Sequence, residues 1–217
     1  KVTVIPLCLD TKSFIQQIQS VDRQSFFSQY QIAPDTFLFG IIGRIDPGKG
    51  QVEVTKHFAK LLDQANYTRP IKLLIIGSAT LHDENAKQYE YVLQQTIQEH
   101  QLEKHVIQIP HLHQPANIYA VLNCLIVASE KETFGMVTVE GLLAKLVVIG
   151  AYSGGTVDIL EQGTLGLLYN PQNKNELTHK MLDVVTNFDL YHQKMLSIDV
   201  SEKYDFKRLE NFLVSRV

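Results

Sequence analysis

The stretch Phe37–Gly50, FLFGIIGRIDPGKG, joins a continuous apolar run to a loop of glycines and cations. The run is apolar on successive residues, which is typical of a strand buried on both faces in a parallel sheet. The segment that follows has helical spacing, with Val54, Phe58 and Leu61 on one stripe. A buried strand, a glycine-containing loop and an amphipathic helix predict one unit of α/β structure.

The same unit recurs along the chain. Five further apolar runs are Ile71–Gly77, His105–Ile109, Cys124–Ala128, Leu146–Gly150 and Gly166–Tyr169. Helices are predicted over Gln51–Ala65, from Asp83 or Glu84 towards His100, from Pro115, near Gly135 and beyond Asn173. This alternation predicts the α/β class: a doubly wound, Rossmann-like parallel sheet of about six strands, with helices on both faces. We expect a single domain over residues 1–217, with its core at about 36–187 and C-terminal helices at 188–217.

The composition is that of an ordinary globular domain. Hydrophobic residues make up 45% of the 217 residues and charged residues 20%. A formal net charge of −3, with scattered Lys and Arg, predicts no nucleic-acid partner. Cys8 and Cys124 lie in apolar stretches, which predicts buried thiols and a cytoplasmic protein. The chain opens with what looks like a strand from Lys1, so we expect that it is part of a longer protein.

The loop Gly43–Gly50 is the first candidate site. A loop that leaves a parallel strand and enters a helix is a common place for anions to bind. Arg44 offers a forked donor and Lys49 a mobile point charge, which suits a diphosphate. The residues nearly match the P-loop pattern, but Gly50 has no hydroxyl to hold Mg²⁺. A P-loop-like NTPase therefore stays the less favoured alternative, beside a simple turn with two exposed cations.

The second candidate site is Ala128–Glu140, which also follows a buried strand and starts a helix near Gly135. The amides of Phe134–Val137 could cradle a phosphate there. Glu140 lies about 7.5 Å further along that helix, where its carboxylate could accept bonds from a ribose, and Glu132 could contact a sugar. Acidic residues near a helix start also simply favour its dipole. Because both loops follow parallel strands, we expect them at the same edge of the sheet.

Together the two loops resemble the C-terminal, donor-binding domain of the retaining, nucleotide-sugar-dependent glycosyltransferases of group 1, which have the GT-B fold and include sucrose-phosphate synthases and bacterial mannosyltransferases. The resemblance covers about residues 1–182. Its motifs are Gly43-Arg44 with Lys49-Gly50, Glu132 with Phe134-Gly135 and Glu140, Ser153-Gly154-Gly155, and Gly163–Pro171.

The resemblance implies that Arg44, Lys49 and Glu132 are the catalytic side chains, the two cations holding the diphosphate and Glu132 the donor sugar. Glu140 would contact the ribose, and the backbone at His111 and Leu112 the base. The implied nucleotide-binding residues are Gly43, Arg44, Lys49, His111, Leu112, Glu132, Thr133, Phe134, Gly135, Met136, Val137 and Glu140.

The resemblance also implies the reaction: transfer of a hexose from a UDP- or GDP-sugar to an unidentified acceptor, in polysaccharide or glycoconjugate biosynthesis. No metal and no cofactor beyond the donor are expected; His111 and His113 have metal-ligand spacing but lack partners in a matching pattern. The acceptor would bind an N-terminal domain absent from this chain, so we expect the fragment alone to be inactive. A non-catalytic nucleotide-sugar-binding module is the alternative, and peripheral attachment to the inner face of the membrane stays open.

Two further expectations concern local structure. Lys145 and Val147 stand where the family usually has Gly and Pro, so Lys145 is expected in a left-handed cap, at about 1 kcal/mol, or in a turn of another shape. A last helix is predicted to begin at Tyr204–Leu209, with Leu209, Phe212 and Leu213 on one side. We expect exposed apolar surface at this end.

Overall fold

The computed structural model describes residues 7–64, 69–110, 115–208 and 214. Within them, one parallel sheet has the strand order β3-β2-β1-β4-β5-β6. Its strands are β1 Phe37–Ile42, β2 Ile71–Ile76, β3 Val106–Ile109, β4 Cys124–Val127, β5 Val147–Ala151 and β6 Leu167–Tyr169. This is the doubly wound order, whose switch point lies between β1 and β4.

Helices pack on both faces of the sheet and at both ends of the described chain. They are α1 Thr11–Gln19, α2 Arg23–Gln29, α3 Gln51–Gln64, α4 Glu84–Glu99, α5 Ala116–Tyr119, α6 Met136–Leu143, α7 Gly154–Ile159, α8 Glu176–Thr186, α9 Phe188–Ser197 and α10 Ser201–Tyr204. Short 3₁₀ helices occupy Pro47–Lys49 and Glu161–Gly163.

Burial explains the strand sequence of β1. Phe37, Leu38 and Phe39 are fully buried, although neighbouring side chains of a strand point to opposite faces. Both faces must therefore be covered by helices, and the alternating pattern of a half-exposed strand is absent from β1. The register runs from Phe37 opposite Ile71 to Ile42 opposite Ile76, so β1 and β2 end level with each other.

The predicted fold is confirmed: all six apolar runs form strands, within a residue or two of the predicted ends. Helices α3 and α4 also lie where predicted, and Asp83 caps α4 by accepting bonds from Asn85 N and Ala86 N. The helix predicted from Pro115 begins at Ala116 and is only one turn long. Helices α1, α2 and α7 were not predicted.

A helix begins at Phe206, within the segment where the sequence predicts one, and residues 206–208 are helical. Asp205 Oδ1 caps this helix by accepting a bond from Lys207 N at 2.9 Å. It is separate from α10, which ends at Tyr204, because Asp205 is extended and pairs with Leu9 in an isolated bridge. Leu9 N donates to Tyr204 O at 3.0 Å, and Thr11 Oγ1 donates to Asp205 Oδ2 at 2.5 Å. These bonds join the two ends of the described chain. The predicted apolar positions Leu209, Phe212 and Leu213, and the strand predicted at Lys1–Pro6, lie outside the described residues.

Lys145 adopts the left-handed conformation expected for the end of α6, with φ of 60°. Leu146 N donates to Gly141 O at 3.0 Å, which satisfies a carbonyl of the last turn. The Lys145 ammonium group also donates to the carbonyl oxygen of Ile198, so a glycine at this position would lose a link to the chain after α9.

Apolar side chains are exposed near the paired ends of the described chain, as expected: Leu7, Phe206 and Val214 are each about half exposed or more. Cys124 is buried as predicted, whereas Cys8 is only half-buried. Among the described helices, none combines the length and apolar character needed to cross a bilayer.

Candidate functional site

The loop after β1 lies directly against the loop after β2. Gly43 N donates to Ile76 O at 3.0 Å, and a Cβ added at Gly77 would overlap Gly43 O. Gly77 has φ of +139°, so only glycine fits this close approach without strain. The loop after β1 is therefore supported from its β2 side by backbone contact.

The rest of this loop turns towards β4. Asp46 Oδ1 accepts a bond from Gly48 N at 2.9 Å, which caps the 3₁₀ helix that ends at Lys49. Gly50 is left-handed, with φ of 75°, and a Cβ there would lie 2.8 Å from Ala128 O. Glu130 N donates to Gly48 O at 3.1 Å. The turn thus brings Lys49 to the segment that follows β4.

Several backbone amides of the first loop and of the first turn of α3 donate hydrogen bonds within the protein. Gly48 N donates to Asp46, Lys49 N donates to Asp46 O, and Val52 N donates to the hydroxyl of Tyr89 at 3.0 Å. A P-loop instead points successive amides at a phosphate. The loop amides of Gly48 and Lys49, and the amide of Val52 in the first turn of α3, are therefore engaged within the protein. The capacity of this loop for anions lies in the side chains of Arg44 and Lys49.

The loop after β4 rests on the start of α7. Gly155 N donates to Glu132 O at 2.8 Å. A Cβ added at Gly154 would overlap Glu132 O, and one added at Gly155 would overlap Phe134 O. The two glycines of the Ser153-Gly154-Gly155 motif therefore let the loop that carries Glu132 lie against α7.

Gly135 caps α6 with left-handed φ of 92°, so the predicted helix start is confirmed. Met136 and Val137 are the first two residues of α6, where amides have no carbonyl of the preceding turn to bond. Thr133 is exposed, and Phe134 is half-buried. The amides of Met136 and Val137 therefore lie at a helix start, the kind of position at which anions commonly bind.

The two loops meet through one ion pair. Lys49 Nζ donates to Glu132 Oε2 at 2.9 Å, and the side chains are 30% and 18% exposed. Burial is the largest influence on the pKa of Glu132 and raises it; Lys49, with hydrogen bonds from Ser129 and Gly135, outweighs burial and holds that pKa below its usual value. Glu132 is therefore an anion at neutral pH.

Arg44 is the more exposed cation. Its side chain is 72% exposed, and its Nη2 lies 3.6 Å from Asp46 Oδ2. Gln51, which is buried at the start of α3, donates its side-chain amide to Arg44 O at 2.7 Å. The backbone of Arg44 is thus held while its guanidinium group reaches solvent. Asp46 and Gln51 were missed by the sequence analysis, because nothing in the pattern shows which side chains contact Arg44.

Glu140 is held by an aromatic residue of another helix. Tyr119 OH donates to Glu140 Oε2 at 2.5 Å, and Tyr119 itself is buried. Burial raises the pKa of Glu140, although the bond from Tyr119 partly offsets this rise. Tyr119 was not predicted as a site residue, because the sequence does not distinguish a tyrosine in an apolar helical stripe from an ordinary core residue.

A cavity of about 490 Å³ lies beside Arg44 at the same edge of the sheet. Its lining comes from the ends of β1 and β2, the loop after β2 and the start of α5. The lining residues are Ile42, Gly43, Arg44, Ile76, Gly77, Ser78, Ala79, Thr80, Leu81, Pro115 and Ile118. The predicted base contacts His111 and Leu112 lie outside the described residues. Ser78–Leu81 were not predicted.

The structure therefore brings Gly43, Arg44 and Lys49 together with Glu132 and the start of α6 at one edge. Glu140 follows along α6, joined to α5 through Tyr119. Within the described ranges, no three His, Cys, Asp or Glu side chains are grouped as metal ligands.

The sequence profile of the family described as "Glycosyl transferases group 1" matches residues 22–194. The capsular polysaccharide biosynthesis glycosyltransferase CapM of Staphylococcus aureus is 24% identical over 193 residues, which are 88% of this chain and 47% of the relative. The α-1,3/1,6-mannosyltransferase ALG2 of Dictyostelium discoideum is 27% identical over 93% of this chain and 44% of its own length. The chain thus spans about half the length of these relatives.

Solved structures share the fold. Anabaena HepE, in complex with UDP and glucose, superposes with a TM-score of 0.81 at 21% identity, over 99% of this chain and 56% of HepE. The C-terminal domain of the group 1 protein LpcC from Francisella tularensis gives a TM-score of 0.73 at 24% identity, over 91% of this chain and 99% of that domain.

Proposed function

The chain belongs to the glycosyl transferases group 1 family, and from this premise we propose that it binds the diphosphate of a UDP- or GDP-sugar as the donor half of a retaining glycosyltransferase, which moves a hexose to an acceptor. The observation that carries the proposal is the contact of Lys49 with Glu132, because it joins the two loops whose motifs resemble those of the donor site in the family.

In the proposed reaction, the bond between the sugar C1 and the diphosphate oxygen breaks, and C1 forms a bond to an acceptor hydroxyl oxygen, whose proton passes to the leaving diphosphate. Negative charge develops on the diphosphate as its bond to C1 breaks. Arg44 and Lys49, with the amides of Met136 and Val137, would meet that charge. The two amides are fixed at the start of α6, so they need no reorganisation as the charge appears. Glu132, an anion beside Lys49, would accept bonds from the sugar hydroxyls.

The nucleoside would lie along the same edge. We assign the ribose to Glu140, whose carboxylate can accept bonds from two hydroxyls, and the base to the cavity beside Arg44. Both UDP and GDP remain candidates for the donor nucleotide. HepE has been solved with UDP and with UDP-glucose, so UDP is the first ligand to test.

We propose that the donor is bound without a metal. Asp46 and Glu132, the carboxylates nearest the two cations, are each paired with one of them rather than with each other. Two cations and a helix start can together supply the charge that Mg²⁺ supplies elsewhere. Nucleotide affinity measured in EDTA is therefore expected to equal that in Mg²⁺, and a requirement for Mg²⁺ would contradict the proposal.

The acceptor is expected to bind a second domain of a longer protein, and this chain alone is expected to be inactive. The exposed apolar residues Leu7, Phe206 and Val214 fit a surface that faces such a domain. Enzyme-like sugar transfer by the purified chain would contradict this expectation. A cytoplasmic location, with or without peripheral attachment to the inner face of the membrane, stays a prediction.

Calorimetric titration of the chain with UDP and with GDP tests the donor site. Arg44→Ala and Lys49→Ala should each weaken binding about 10- to 100-fold, the range for loss of a charge-assisted hydrogen bond. Lys87→Ala is the matched control, because Lys87 is exposed and pairs with Glu84 of its own helix. Failure to bind either nucleotide, or equal losses for Lys87→Ala, would contradict the proposal.

The proposal leaves two rivals that the same protein can distinguish. A non-catalytic module that senses a nucleotide sugar would bind UDP or GDP equally well, but the full-length protein would then transfer no sugar. A P-loop-like NTPase would hydrolyse ATP or GTP with Mg²⁺. The second rival is weakened by the amides of Gly48 and Lys49 in the loop and of Val52 in α3, which donate inside the protein.

A further inference from the structure

Each cation of the first loop faces a carboxylate that the protein supplies. Arg44 Nη2 lies 3.6 Å from Asp46 Oδ2, and Lys49 Nζ lies 2.9 Å from Glu132 Oε2. These four side chains together carry no net charge at neutral pH. A diphosphate would therefore meet a pair of cations whose charge is already balanced by nearby carboxylates.

The carboxylates are fixed more firmly than the cations. Asp46 is anchored because its Oδ1 accepts a bond from Gly48 N. Glu132 accepts bonds from Ser129 and Gly135, and its backbone rests on Gly155. The Arg44 side chain, in contrast, is 72% exposed, and lysine has a long stem with three rotatable donors. An exchange of partners would move the cations and leave the carboxylates in place.

Phosphate and carboxylate oxygens are the same kind of acceptor for ammonium and guanidinium groups. A diphosphate that binds Arg44 and Lys49 competes with the ion pair to Asp46 and with the hydrogen bond to Glu132, and it also lies close to two negative charges. Both effects oppose binding of the diphosphate. When the diphosphate leaves, the two ion pairs can form again and stabilise the protein without ligand.

We propose that Asp46 and Glu132 limit the affinity of the site for a nucleoside diphosphate by competing for Arg44 and Lys49, and so favour release of the product. This inference rests on the proposed donor-binding function. It gives Asp46 a role in the site that neither the motif nor the family match assigns.

The transferred sugar should reduce the extent to which Glu132 opposes ligand binding. Once Lys49 has moved to the diphosphate, the freed carboxylate can accept hydrogen bonds from the hydroxyl groups of the transferred sugar. UDP lacks that sugar, so it cannot make these bonds. Glu132 should therefore oppose UDP more than it opposes UDP-glucose. Asp46, which is assigned no sugar contact, should oppose both ligands equally.

Titration of UDP, UDP-glucose and inorganic pyrophosphate tests the inference with Asp46→Asn and Glu132→Gln. The amide oxygen of each variant can still accept the bond from Gly48 N or Gly135 N, so the fold is expected to persist and the melting temperature reports it. Asp46→Asn should tighten UDP and pyrophosphate binding about two- to fivefold, the range for an exposed ion pair. Glu132→Gln should tighten both about tenfold, because its pair is less exposed.

Two controls separate this effect from a general change of charge. Glu161→Gln removes the same charge from a Lys–Glu pair of 2.8 Å with Lys203, and it should leave UDP affinity unchanged. The gain in the two test variants should also shrink as salt is raised, because the competing charges are screened. Asp46→Ser, which keeps a capping oxygen, provides a second variant without the charge.

The outcomes are distinct. Unchanged or weaker UDP binding by Asp46→Asn and Glu132→Gln, in a protein whose UDP binding Arg44→Ala weakens as expected, would overturn this inference alone. Tighter binding of UDP and UDP-glucose by equal factors in Glu132→Gln would overturn the part that concerns the sugar. If wild type and all variants bind none of UDP, GDP and pyrophosphate, both this inference and the proposed function are overturned.

Discussion

Lys49 Nζ lies 2.9 Å from Glu132 Oε2, although the two residues are 83 positions apart in the chain. The contact joins the loop after β1 to the loop after β4, and these strands are neighbours at the point where the order of the sheet reverses. Ligands of doubly wound folds bind at such points. The pair is therefore a structural link between the two loops as well as a candidate part of the donor site.

Removing both partners of this link should cost less stability than the sum of the single changes. Lys49→Met and Glu132→Gln, with the double variant, are expected to show a coupling of about 0.5–1 kcal/mol in the free energy of unfolding, measured with urea at low salt. The pKa of Glu132 is lowered in the folded protein, so the coupling is present above the unfolded value near 4.5 and declines as the pH falls below it. A coupling of zero at pH 7 would show that the ion pair does not contribute to the free energy of unfolding.

Glu140→Gln should make the protein more stable at neutral pH. Burial raises the pKa of Glu140 in the folded state, so folding favours its protonated form. The advantage of that form is complete below the unfolded value of 4.5 and is lost as the pH rises through the folded pKa. Thermal unfolding should therefore give the variant a higher Tm than wild type at pH 7, and the two should converge towards pH 4. A lower Tm at pH 7 would contradict the expectation.

The same variant should bind UDP less tightly if Glu140 holds the ribose. The loss is expected to be about tenfold for a hydrogen bond to a charged group. 2′-Deoxy-UDP serves as the control ligand, because it lacks one of the hydroxyls and should lose less. Equal losses for UDP and its deoxy form would remove Glu140 from the ribose site.

Tyr119→Phe tests Glu140 through its hydrogen-bond donor. The change removes the donor at 2.5 Å and leaves a half-buried carboxylate without that bond, which should cost about 1–2 kcal/mol of unfolding free energy. Because the bond lowers the pKa of Glu140, the pKa should rise further in the variant, and UDP affinity should fall more at pH 6 than at pH 8. Tyr91→Phe, at an exposed tyrosine of α4, is the control. Equal effects at both pH values would show that Tyr119 acts through packing alone.

Gly154→Ala should be far more disruptive than Gly163→Ala. Both glycines have positive φ, but a Cβ at Gly154 would overlap Glu132 O, whereas the nearest atom at Gly163 is 4.0 Å away. Strain alone should cost about 1 kcal/mol at Gly163, and the overlap should raise the cost to about 2–4 kcal/mol at Gly154. Urea unfolding measures both costs. UDP affinity should fall only in Gly154→Ala, because the backbone of Glu132 must move in that variant. Equal losses of unfolding free energy in the two variants would refute a close approach of Gly154 to Glu132 O.

The strands could be predicted because a strand that is buried on both faces is apolar on almost every residue. β1 and β2 are apolar on almost every residue, and no distant partner is needed to recognise that pattern. Helix α7 was missed because it begins with two glycines, which favour loops in isolation. Its place depends on packing against the loop that carries Glu132.

For the candidate site, Arg44, Lys49, Glu132 and Glu140 and the loops that carry them were found from the spacing together with the resemblance to the family. The glycines beside them are local requirements of turn geometry, as Gly135 with its left-handed φ illustrates. The partners of these side chains could not be recognised. Asp46 lies two residues from Arg44, yet the pattern does not say whether it pairs with that cation or faces solvent.

The amino-acid pattern was therefore sufficient for the class of sheet, the edge at which the two loops open and the side chains offered there, since each follows from interactions within about ten residues. Folding in three dimensions was needed to pair Lys49 with Glu132 and Tyr119 with Glu140. Those pairings depend on which strands become neighbours and on how far each helix turns before it packs. Both are set by the burial of the whole core, and no local segment contains that information.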